Sequence, residues 1–253
     1  MMTAVRKAPY RWPFRHKDYL FQKRLALRLP FDSFRFDFRG NHESGGAWTQ
    51  GGFARDVEDL VAVVAYLRAT YGYDVDMIVG HSRGSVVGMH WLCTSEEGKG
   101  VRALVNASGR YRMHRIYDGA EAYKEEFETK GYYDWKVTVA RKAVVQKIYP
   151  HDLQEFSRWN SAIVWDSFPP TIDVFTVHGL ADKTVPPFDA TIYARAFGAR
   201  SPGTHSLHLI EDADHNFTGR QDEVVDCILD WWDARDKGML KTGMWMTGVR
   251  GKL

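Results

Sequence analysis

The chain has 253 residues, and its 34 Lys and Arg against 32 Asp and Glu leave a net charge of +2. The basic residues are scattered, which excludes the clustered positive face of a nucleic-acid-binding domain. The 44% hydrophobic content is enough for one sizeable core, yet no run approaches the ~20 apolar residues of a membrane-spanning helix.

The N-terminal stretch MMTAVRKAPYRWPFRHK lacks the apolar core of a secretory signal, and Pro9, Pro13 and the scarcity of serine argue against an organellar presequence. Residues 1–15 read as an atypical N-terminal segment, and residues 16–253 as one α/β domain. HKDYLFQKRLALRLP, residues 16–30, has Leu20, Leu25 and Leu29 available for one helical face. SFRFDF at 33–38 alternates aromatic and polar residues, as a strand does. Residues 54–70 place Val57, Leu60, Val61, Val64 and Leu67 at helical spacing. The glycine-rich RGNHESGG between them is not a phosphate loop, because it lacks the G-x-x-x-x-G-K-[ST] pattern.

VDMIVG then reads as a short buried strand and Ser85–Thr94 as a helix. Further strands are expected at VRALVNAS, at 172–179 (IDVFTVHG) and at 205–212 (HSLHLIED), before a closing helix over 221–235 with Val224, Val225, Ile228 and Trp232 on one stripe. Alternation of strands and helices predicts a mostly parallel sheet with helices on both faces. The stretch 109–171 is rich in aromatics and has no convincing strand pattern, so it is expected to form a helical cap over the carboxyl ends of the strands. Cys93 and Cys227 fall in helical segments; a disulfide framework is not expected, and a cytoplasmic location fits best.

Gly80-His81-Ser82-Arg83-Gly84 matches the G-x-S-x-G elbow, between an apolar strand and an apolar helix. Such a turn exposes a serine at a helix N-terminus, where free N–H groups favour a developing oxyanion. A serine needs a base, and the base an orienting group. Asp182 in VFTVHGLADKTVPP and His215 in LHLIEDADHNF each follow a strand end, at the sheet edge where ligands bind in such folds. Asp212 and Asp214 lie too near His215 in sequence to orient it readily, and Asp189 lies within the following helix. His178 ends a strand; His81 is expected to pack beneath the elbow, and His205 and His208 to be structural. No His/Cys/Asp/Glu spacing matches a metal site.

FRFDFRGNHESGG, VGHSRGS, LVNASGRY, TVHGLADKTVP and IEDADHNF together resemble the α/β-hydrolase superfamily, in particular its serine aminopeptidase-like and small-esterase branch. The resemblance implies Ser82 as nucleophile, Asp182 as acid, His215 as base and the Arg83 backbone N–H as one oxyanion donor. It also implies a helical cap and a small-molecule acyl substrate. Neither a cofactor nor a metal is implied. The expected activity is hydrolysis of small carboxylic esters, with aminopeptidase or thioesterase activity as alternatives, and a catalytically impaired binding protein as an alternative of another class. An aminopeptidase would need a carboxylate near the site; Glu121, Glu125, Glu126 and Glu128 are available in the cap but read as a solvated helix face.

The resemblance breaks at the front. Such enzymes have two opening strands and a third that ends in His-Gly, whereas Arg11-Trp12-Pro13-Phe14 stands here, with two prolines that oppose a central strand. The expectation is a sheet without its first strands, open between 33–38 and 75–79, and without the loop that supplies the second oxyanion N–H. A truncated gene model is the favoured explanation, ahead of a rearranged enzyme and a non-catalytic remnant.

Overall fold

The computed structural model of the chain describes residues 2–5, 20–139 and 142–244. The strands are β1 (Met2–Val5), β2 (Asp32–Arg35), β3 (Val75–His81), β4 (Ala103–Ala107), β5 (Tyr133–Val139), β6 (Lys142–Ile148), β7 (Asp173–Gly179), β8 (His205–Ile210) and β9 (Gly243–Met244). The helices are α1 (Gln22–Arg28), α2 (Phe53–Tyr71), α3 (Arg83–Thr94), α4 (Lys124–Lys130), α5 (Pro150–Arg158), α6 (Ile163–Asp166), α7 (Phe188–Phe197) and α8 (Gln221–Asp236). Seven strands form the main sheet in the order β2-β1-β3-β4-β7-β8-β9. From β3 onward every pairing is parallel.

Both faces of that sheet are covered, which is why its central strands are buried along nearly their whole length rather than at alternate residues. Within β3, Met77 and Val79 face one cluster with Phe21, just before α1, and Trp231 of α8. Ile78 faces the other, with Leu60 and Val64 of α2, Trp91 of α3 and Tyr193 of α7. Trp231 is fully buried and stacks on Phe175 of β7 with centroids 5.4 Å apart. Truncating it to alanine is expected to cost about 3–5 kcal/mol. Helix α2 ends where Gly72 enters the left-handed region at φ 67°, a conformation in which a Cβ would be strained.

Two expectations are corrected by this architecture. The first is the open gap: β1 lies between β2 and β3 and pairs antiparallel with both, Thr3 opposite Phe34 on one side and Ile78 on the other. A four-residue extended stretch before the prolines suffices to bond both neighbours. The expected His-Gly position at residues 11–14 lies outside the described residues. The second is the cap. Between β4 and β7 the chain forms a 3-10 helix (Met113–Tyr123), α4, α5 and α6, but also an antiparallel hairpin of β5 and β6. The alternation Tyr133, Trp135, Val137, Val139 is the period-two signal for it, diluted by the helix-compatible Lys142, Ala143, Gln146 and Lys147 of the return strand. The hairpin is anchored by Trp135, which stacks on Trp48 at 5.6 Å. Phe156 and Trp159 pack on Phe53 of α2, both with ring centroids 5.1 Å away, so several of the insertion's aromatics attach it to the sheet layer.

Candidate active site

The elbow forms because β3 runs into α3 with one residue of turn. Ser82 sits at φ 51° and ψ −117°, a strained conformation for a residue with a Cβ. Its N–H donates to the Ala107 carbonyl at 2.8 Å, which ties the turn to β4. Gly80 allows α3 to approach: a Cβ there would fall 2.4 Å from both the N and Cα of Ser85. The Arg83 N–H is the first of α3 and belongs to the donors that a helix leaves unpaired at its start. The Arg83 side chain is spent elsewhere. Its Nε donates to the buried Asp56, another nitrogen donates to the Gln50 carbonyl at 2.7 Å, and the guanidinium lies 4.2 Å above the Phe53 ring.

Asp182 and His215 come to the same edge from the loops after β7 and β8. His215 Nε2 lies 3.0 Å from Ser82 Oγ, and His215 Nδ1 lies 2.8 Å from Asp182 Oδ2. Since an ionised carboxylate only accepts, Nδ1 carries the proton and Nε2 is left to accept from the serine hydroxyl. The other carboxylate oxygen of Asp182 accepts the N–H groups of Thr184 and Val185, both at 2.8 Å. The Asp182 side chain is fully buried. Burial alone would raise its carboxyl, but the hydrogen bonds from His178 and His215 outweigh burial and hold it well below the usual carboxylate range.

The neighbours sort by the same geometry. Asp214 accepts from the backbone N–H groups of Asn216 and Thr218, at 3.0 and 2.9 Å, and so closes its own turn. Asp189 is buried in α7, where it accepts from the N–H groups of Tyr111 and Arg112 and from the Arg112 side chain. His81 has its Nε2 2.8 Å from the His215 carbonyl; burial and the neighbouring His215 push its pKa down to about 3, so the ring is neutral. His205 meets Thr176 at 3.0 Å and His208 meets Cys227 at 3.3 Å, inside the structure. Neither Cys93 nor Cys227 is in a disulfide.

Sequence reasoning missed His178. It is buried in β7 with Nε2 2.8 Å from the Val185 carbonyl and 3.2 Å from Asp182, where it ties the strand to the Asp182 loop. A strand-end histidine four residues before an aspartate carries no local signal of that role. On the loop after β2, Asp37, His42 and Glu43 bring their ligand-type atoms within 4.8 Å of one another.

Ser82 and His215 open onto a cavity of about 1060 Å³ between the strand ends and the insertion. Its apolar wall includes Met113, Ile116, Trp135 and Phe156, and Arg110, Arg115, Asp118 and Glu43 also line it. None of the four cap glutamates does so among the described residues.

Residues 8–227 match the model of the alpha/beta hydrolase family, and the chain belongs to that family. YDL057W, an uncharacterized protein of Saccharomyces cerevisiae, is 28% identical over 81% of this chain. The chain spans 66% of that relative's length, just under two thirds. Among solved structures, Est1E of Butyrivibrio proteoclasticus with ferulic acid bound superposes with a TM-score of 0.68 at 17% identity, over 88% of this chain and 86% of Est1E. Mouse alpha/beta hydrolase domain-containing protein 10 does so at 0.60 and 19% identity, over 87% and 86% of the two chains. At these identities the structural matches speak to the fold alone. No helix among the described residues is long and apolar enough to cross a membrane.

Proposed function

We propose that this hydrolase is a serine hydrolase of small carboxylic esters, with Ser82 as nucleophile, His215 as general base and Asp182 as the orienting acid. The observation that carries the reading is the hydrogen-bonded series Asp182 Oδ2, His215, Ser82 Oγ, at 2.8 and 3.0 Å, opening on the cavity. Ser82 Oγ attacks the ester carbonyl carbon while His215 Nε2 takes its proton, and the carbonyl electrons move to the oxygen near the Arg83 N–H. Collapse of the tetrahedral intermediate breaks the ester bond as His215 returns the proton to the departing alkoxide. Water, deprotonated by the same nitrogen, then releases the acid and restores Ser82. Asp182 stays ionised throughout and stabilises the imidazolium.

A second reading, a protein that keeps the pocket but turns over slowly, draws on one observation. Because β1 is antiparallel to β3, with Met2 opposite Val79 and Val5 opposite Val75, its carboxyl end lies at the sheet edge away from Ser82. A loop leaving that end does not start beside the oxyanion position. One experiment separates the two readings. A fluorophosphonate probe should label the wild-type chain but not Ser82→Ala, and a para-nitrophenyl ester panel should be hydrolysed by the labelled protein. Equal labelling of Ser82→Ala overturns the nucleophile assignment. Labelling without ester turnover favours the second reading.

A further inference from the structure

The cavity wall holds a cation whose hydrogen-bonding capacity is mostly unused, its guanidinium 5.9 Å from the centre of the Phe156 ring. Arg110 follows β4 and lines the same cavity as Ser82 and His215. Its backbone is held by α7: the buried Tyr193 hydroxyl donates to the Arg110 carbonyl at 2.8 Å, and Asp189 accepts the next two backbone N–H groups at 2.9 and 3.1 Å. The guanidinium makes one hydrogen bond, to the Thr184 carbonyl at 2.6 Å. Thr184 in turn donates its N–H to Asp182, so the cation is held against the turn that carries the triad acid.

A guanidinium has five N–H donors. Among the described residues no carboxylate forms an ion pair with Arg110. The nearby acids are committed: Asp182 to His215, Asp189 to Arg112 and Asp118 to Arg115. Burial lowers the Arg110 pKa while Asp189, Asp182 and Asp118 oppose that effect, and an arginine remains charged at neutral pH even so. A half-buried, pre-positioned fork with free donors beside a reactive serine suits a planar carboxylate taken in bidentate fashion.

We propose that the substrate is an ester bearing a carboxylate on an apolar body, with the carboxylate held by Arg110 and the body against Met113, Trp135 and Phe156. This rests on the serine-hydrolase reading. A carboxylate is favoured over a phosphate dianion because Glu43 and Asp118 also line the cavity and one arginine balances a single charge. Lys183 at the rim has no carboxylate partner among the described residues and adds attraction of the same sign.

The test uses chain-matched para-nitrophenyl esters of hexanoic acid and of adipic acid, the latter carrying a free carboxylate. Arg110→Gln should lower the ratio of kcat/KM for the adipate ester to that for the hexanoate ester by about tenfold or more, through KM. That is the loss expected of one charge-assisted pair. Arg110→Lys should recover part of it, which a purely structural role for Arg110 would not produce. An unchanged ratio in Arg110→Gln overturns the proposal. A binding arm is independent of turnover: Ser82→Ala is titrated with monomethyl adipate and dimethyl adipate by saturation-transfer NMR. Preference for the monoester that disappears on adding Arg110→Gln upholds the site even if neither ester is hydrolysed, in which case the serine-hydrolase reading alone falls. Equal binding of the two adipates overturns the carboxylate site, and hexyl phosphate binding tenfold more tightly than monomethyl adipate overturns the choice of anion.

Discussion

Asp182 differs from Asp214 in what its oxygens accept, and the difference sets what each can do. Asp182 Oδ1 is saturated by two backbone N–H groups, so Oδ2 alone faces His215 and keeps its Nδ1 protonated. An asparagine there retains the shape but can present an N–H₂ to Nδ1, forcing the proton onto Nε2, where it can no longer accept from Ser82. Asp182→Asn is therefore expected to lower kcat on a para-nitrophenyl ester by about 10⁴-fold, the loss known for the equivalent change in a serine protease. Asp214 only closes a turn through N–H groups of Asn216 and Thr218, and an asparagine carbonyl does that equally well. Asp214→Asn should stay within about threefold of wild type. Reversed effects of the two substitutions would show that the acid was wrongly assigned. At this scale the convergence of Ser82, Asp182 and His215 at one sheet edge was legible because each follows a strand end in a fixed chain order. His178 and Arg110 were not, because their meaning arises only when the β7 and β4 loops meet.

Elements with a strong period, or buried on both sides, were readable. The helix expected over 54–70 is α2, Phe53–Tyr71, and the strand expected at 172–179 is β7, Asp173–Gly179. The hairpin of β5 and β6 and the two-residue β9 were not anticipated, being short strands whose partners lie outside any local window. Within β8 one histidine also carries a thermodynamic consequence. His205 is buried, and burial together with the charge of Arg200 pushes its pKa down to about 3 from an ordinary 6.5. Between those pH values the unfolded chain binds a proton that the folded chain does not, so stability rises with pH across that window and falls on acidification. One such group contributes a slope of up to about 1.4 kcal/mol per pH unit. His205→Gln, whose amide still reaches Thr176, should flatten the dependence of urea-unfolding free energy on pH between about 4 and 6 by up to that amount. His81, also held at about 3, should sustain the remainder. An unchanged slope would mean that His205 protonates normally inside β8.

Across the whole molecule, the family and its layered sheet were legible from five landmarks spread along the chain, while the N-terminal arrangement was not. A strand of four residues carries too little pattern to be read alone, and the prolines after it point away from a strand. What the pairing reveals is a division of labour: β1 bonds β2 and β3 together, yet its antiparallel direction sends its carboxyl end away from the elbow. Integrity of the sheet and stabilisation of the oxyanion should therefore separate. Thr3 lies opposite Phe34 and Ile78, so Thr3→Pro removes a backbone donor flanked by strands on both sides and should expose unpaired groups of β2 and β3 to other chains. The soluble monomer fraction should fall severalfold, whereas Thr3→Val, which keeps the N–H and favours extended backbone, should match wild type. Ester turnover per probe-labelled site in the surviving Thr3→Pro monomer should remain within about threefold, because no oxyanion donor has been removed. A drop in per-site turnover of about 10²–10³-fold at full solubility is the cost of one lost oxyanion donor, and would place such a donor under the control of the N-terminal strand. If Thr3→Pro matched wild type in both measurements, β1 would not be needed to join β2 to β3.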